Sequence, residues 1–144
     1  PLDLVILALG TNDTFAEARR KPQNTVNVMR SLITATRDLP TAPGSSVPNT
    51  SPPKVMIVSP PNCLPLPSVT GEGFPELDDL IRWLPKLAKL YEELAIEQDT
   101  YFADAAKFCE PDPVDGLHLD VENTRKLGIG IAETIALEGF ADFC

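Results

Sequence analysis

Two short stretches hold side chains whose types and spacing could do chemistry together. In "DGLH", Asp115 and His118 stand three residues apart. At that spacing one turn of chain can bring a carboxylate onto the Nδ1–H of an imidazole, fixing its tautomer and leaving Nε2 free to accept a proton. The same residues also make an ordinary surface turn with a solvated histidine. In "LALGTNDT", residues 7–14, an apolar run stops at Gly10 and then presents Thr11, Asn12 and Asp13. Gly10 would let backbone approach a ligand, Asn12 could aim its amide NH2 at a developing oxyanion, and Asp13 could brace the turn. Equally, Gly, Asn and Asp end strands in plain turns.

Composition narrows what such groups could serve. The chain has 144 residues, 43% of them hydrophobic, enough for one domain with one core. A net charge of -9 with no clustered Lys or Arg argues against a nucleic-acid partner. No apolar run approaches the roughly 20 residues that span a bilayer. Cys63, Cys109 and Cys144 lack metal or redox spacing and read as free thiols. With His118 the single histidine, a His-rich metal site is not expected. The chain opens on Pro1 and is strand-like by residue 3, as a piece of something longer would be. Nothing in it identifies a compartment.

The elements that must position the two stretches follow from hydrophobic period. "LDLVILAL" (2–9) is almost continuously apolar and reads as a strand buried on both faces. From Pro22 to about Asp38, Val26, Met29, Leu32, Ile33 and Thr36 fall on one helical face. Five prolines in residues 40–53 make an exposed connection. "KVMIVS" (54–59) is a second buried strand, followed by a proline-stiffened loop over 60–75. Leu77, Leu80, Ile81, Leu84, Leu87, Tyr91 and Leu94 mark a long amphipathic helix, which Pro85 should kink or divide. "TYFADA" (100–105) is a third strand, and a last helix runs from about Val121 to Leu137 with Asp120 as its N-cap. Alternation of strand and helix means a parallel sheet flanked by helices. Ligands of such sheets sit at the carboxyl ends of the strands, where "GTND", the 60–75 loop and "DGLH" all lie.

"DLVILALGTND" resembles the third sequence block of the SGNH, or GDSL-type, hydrolases, and "DGLH" resembles their fifth. "LGTND", "VSPP" and "VDGLHLDVENTRKLGIGIAE" are most similar to the arylesterase/acyltransferase branch. The resemblance implies a flavodoxin-like α/β/α architecture of three layers around a parallel sheet, with residues 1–144 as the C-terminal portion of a single domain and the first strand or two absent. It implies a serine esterase or acyl hydrolase, or an acyltransferase, acting on small carboxylic esters through an acyl-enzyme. Asn12 would then be an oxyanion-hole donor supported by Gly10, His118 the general base, and Asp115 its orienting partner. No metal or organic cofactor is implied.

The family's Gly-Asp-Ser block, which carries the nucleophile, is not in this chain, so the serine is expected upstream. Ser59 ends a strand, but Pro60 and Pro61 follow it, whereas a nucleophile normally sits on a turn into a helix. Within the 60–75 loop, Leu64, Leu66 and Phe74 are the candidates for an acyl pocket. The strand at 2–9 would pair with the missing N-terminal segment or with a second chain, and an oligomer is compatible with that edge. The rival reading is a non-catalytic binding or interaction fragment that completes its sheet with another chain.

Overall fold

The strand Lys54–Ser59 (β2) has β-branched and long apolar side chains at nearly every position, and from Val55 onward each residue is buried. A strand apolar on both faces needs a layer on each side, and the computed structural model of the chain provides both. It describes residues 2–14, 21–41, 43–65 and 75–139. β2 is flanked by two parallel neighbours, Leu4–Ala8 (β1) and Tyr101–Asp104 (β3), in the order β1-β2-β3. Leu4 registers with Lys54 and Ala8 with Val58 on one side, Met56 with Tyr101 and Ser59 with Asp104 on the other.

Both crossovers move the same way across the sheet, so a single connection hand puts both helices on one face. Helix Pro22–Arg37 (α1) presents Val26, Met29 and Ile33 to that face. Helix Pro75–Gln98 (α2) adds Leu80, Leu84, Leu87, Tyr91 and Leu94, all packing with Val55 and Ile57. Arg37 fastens the two helices far from the "GTND" turn, its Nη2 donating to the carbonyls of Gln98 and Asp99 at 2.7 and 3.0 Å. The opposite face, with Met56 and Val58, is covered by helix Val121–Leu137 (α3) through Leu127, Ile131 and Ile135. The result is the α/β/α sandwich expected from sequence. Asp120 caps α3 as expected, its carboxylate accepting from the Asn123 amide at 2.6 Å.

Two expectations change. β1 is not buried on both faces: it forms the sheet edge, with Ile6 42% exposed and Leu9 49%. Its Leu7 side meets the α1/α2 core, and on the other face Leu4 packs against the Met56 and Val58 core. Nor does Pro85 divide the second helix, which continues from Pro75 to Gln98. Pro85 lies on its exposed side, where water can take the carbonyl whose intrahelical partner the ring removes.

α3 contains a matched pair of glycines. A Cβ on Gly130 would run into the Phe108 ring, whereas one on Gly128 would meet nothing within 4 Å. Alanine is favoured over glycine in a helix by about 1 kcal/mol. Gly128→Ala should therefore stabilise the full-length protein, while overpacking makes Gly130→Ala cost about 1–3 kcal/mol. Urea unfolding of the two variants should show opposite shifts in midpoint.

Candidate active site

One chemistry-bearing stretch begins where β1 ends, and the other lies in the long loop between β3 and α3. After Ala8 the chain reaches Gly10, whose φ of 129° is a region that side chains disfavour. A Cβ there would also stand 2.8 Å from Leu87 Cδ2 and 3.0 Å from Tyr91 Oη. Only glycine lets the strand end press onto α2 in this way. The next residues form a 3-10 turn, Asn12–Thr14, that leaves the Asn12 side chain exposed.

The histidine segment is built by local hydrogen bonds. The Asp112 amide donates to the His118 carbonyl at 2.7 Å, closing the loop, and the Gly116 amide donates to the Asp112 carbonyl at 2.8 Å. Gly116, at φ 66°, makes the reversal that turns the chain back on itself. Asp115 is thereby surrounded by donors. Its Oδ1 accepts from the amides of Leu117 and His118, both at 2.9 Å, and its Oδ2 lies 2.7 Å from His118 Nδ1. These donors, the Leu117 amide first and then the His118 ring and amide, hold the Asp115 carboxyl down from its ordinary 3.8 to about 2. At neutral pH the carboxylate can only accept, so Nδ1 must carry the proton and Nε2 of the neutral ring presents its lone pair. The His118 side chain is 78% exposed, so that lone pair is reachable.

The two stretches meet across one open cleft of about 480 Å³. Gly10, Thr11, Asn12 and Asp13 line one side, Leu117, His118 and Leu119 the other, with Leu9 and Pro61 between. Such a cleft offers an amide donor and a proton-accepting imidazole to one bound group. Leu64 is not among its walls; it ties the 60–65 segment to the histidine loop, its amide donating to the Gly116 carbonyl at 2.9 Å. Leu66 and Phe74 lie outside the described residues. Ser59 is 1% exposed, and its hydroxyl donates to Asp104 Oδ1 at 3.0 Å, away from the cleft. Sequence reasoning passed over Pro61, Leu117 and Leu119 as walls and treated Tyr91 only as a core residue. The first three could have been found from their adjacency to the two motifs.

Solved structures of the same shape are ester hydrolases. The M. smegmatis aryl esterase is 36% identical, with a TM-score of 0.78 over 94% of this chain. A carbohydrate acetylesterase from Sinorhizobium meliloti is 34% identical, with a TM-score of 0.79 over 95% of this chain. Another carbohydrate acetylesterase family member from that organism is 30% identical at 0.80, again over 95% of this chain. In fold and in sequence the chain is similar to these esterases, as the SGNH-type resemblance of its motifs led one to expect. It spans only 61–62% of the length of those three relatives. No family model matches the chain, and a search of curated proteins finds no match.

The donor count around Asp115 has a pH consequence. A carboxyl whose folded value lies below its unfolded one contributes stability that is present above about 3.8 and lost as pH falls through about 2. Carbon-detected NMR of the Asp115 carboxyl should therefore show a midpoint near 2, and His118→Ala should raise it toward the ordinary range.

Proposed function

We propose that the protein carrying this chain is a serine esterase acting on small carboxylic esters, its nucleophile supplied from upstream of Pro1. The observation that carries the reading is the 2.7 Å pairing of His118 Nδ1 with Asp115, in a cleft that also holds Asn12. The kinship with aryl esterases and carbohydrate acetylesterases supports it.

In this mechanism the serine oxygen attacks the ester carbonyl while Nε2 of His118 takes the hydroxyl proton. Asp115 stabilises the resulting imidazolium. The carbonyl oxygen, now carrying the negative charge, accepts a hydrogen bond from the Asn12 amide on the Gly10 side of the cleft. As the carbonyl reforms, the C–O bond to the alcohol breaks, and His118 returns the proton to the departing alkoxide. Water then attacks the acyl-enzyme by the same steps in reverse order of partners. An alcohol in place of water gives acyl transfer. No cofactor takes part.

The upstream segment that brings the serine also completes the sheet. β1 is an edge whose last residues are exposed, and after Asp3 it offers no charge to discourage pairing. An added strand there would cover Ile6 and supply partners for the free edge.

In the full-length protein, His118→Ala should abolish turnover of p-nitrophenyl acetate with the fold intact. Activity within a few-fold of wild type would overturn the triad. Asn12→Ala should lower kcat by about 10²–10³ with little change in KM, since an oxyanion donor acts in the transition state. A pure KM effect would make Asn12 a turn or binding residue.

A further inference from the structure

The core face of α2 is aliphatic at Leu80, Leu84, Leu87 and Leu94, yet position 91 carries a tyrosine that is 1% exposed. Packing alone is served as well by phenylalanine or leucine. Burying a phenolic hydroxyl costs free energy unless the group finds a partner. Its partner is the Leu9 carbonyl, at 3.3 Å. Leu9 lies just past the end of β1, outside the ladder with β2, and directly before Gly10. The bond therefore holds the one stretch of backbone between the sheet and the Asn12 turn that the sheet itself does not hold. The same hydroxyl sits 3.0 Å from where a Cβ on residue 10 would be, so it also limits how the chain can pass that point. Burial, and then the charge of Asp13, push the Tyr91 phenol well above its ordinary range, which keeps it a donor throughout the pH range in which esterases work.

We infer that Tyr91 is a positioning residue for the oxyanion donor: by tying the Leu9 carbonyl to α2, its hydroxyl sets where Asn12 stands in the cleft across from His118. The inference rests on the reading of Asn12 as that donor. Tyr91 touches neither substrate nor reacting atoms. Its influence travels through the three peptide units that separate Leu9 from Asn12, where small displacements matter. A misplacement of about 1 Å at a reacting centre can cost on the order of 10²-fold in rate. A turn still held by Gly10 packing and the 3-10 hydrogen bonding would shift less.

A double-mutant cycle tests this in the full-length protein, with p-nitrophenyl acetate as substrate and kcat taken per site titrated with a fluorophosphonate. Counting only titratable sites removes any misfolded fraction from the comparison. Tyr91→Phe keeps the ring and the core volume. It should lower kcat by about tenfold with KM unchanged, as expected for a defect felt only in the transition state. In an Asn12→Ala background it should lower kcat no further, because the group it positions is gone. An equal loss in both backgrounds would overturn the inference, as would no loss in the wild-type background or a loss confined to KM. If Asn12→Ala itself leaves kcat unchanged, the oxyanion reading fails first and the inference falls with it. That result is distinct from the others, since it appears in the single variant without Tyr91→Phe.

Discussion

The ladder of main-chain bonds on either side of β2 is the constraint on which everything else depends. Among the described residues β2 is the single strand with partners on both edges and helices on both faces. Its register with β1 sets how far Ala8 extends and hence where Gly10 and the Asn12 turn emerge. Its register with β3 ends at Ser59 and Asp104, locked by the serine hydroxyl on the Asp104 carboxylate. Because strand residues alternate faces, a slip of one position would reverse which core each side chain enters. Val55 and Ile57 would then face α3 while Met56 and Val58 faced α1 and α2. The packing of both layers rejects that, and the site inherits its precision from this rejection.

The two halves of the cleft are held by different means. The Asn12 turn depends on long-range packing: Gly10 against Leu87 and Tyr91, residues more than seventy positions away in the chain. The Asp115–His118 pair depends almost wholly on hydrogen bonds among residues 112–118. One half is a product of the tertiary fold, and the other is close to a self-contained loop. A burial-changing substitution in α2 would therefore disturb Asn12 before it disturbed the histidine pair.

That difference also explains what could be read from sequence. β2, α1, α3 and the Asp120 cap follow from local period and capping chemistry, and the structure agrees with them closely. The Asp-x-x-His pairing was legible for the same reason: its geometry needs only one turn of chain. The apolar run of β1 looks alike whether its neighbours are present or absent; its edge position was legible only through the resemblance, which leaves the strand beside it missing. The continuity of α2 through Pro85 depended on which side of the helix faces water, a tertiary fact. Tyr91 looked like one more apolar position in a helical stripe. Only the fold reveals that its hydroxyl finds the Leu9 carbonyl, eighty-two residues earlier. Ser59 was judged structural from the prolines after it, and its buried bond to Asp104 supplies a second, independent reason.

The amide of Leu64 donates to the carbonyl of Gly116, the first of the two residues between Asp115 and His118. This joins two loops that leave different strands into one mechanical unit. A group wedged against the 60–65 segment cannot displace it without pulling on the peptide that orients Asp115 toward His118. Displacement on that side is thereby transmitted to the turn that holds the imidazole, so the two loops answer as one lever.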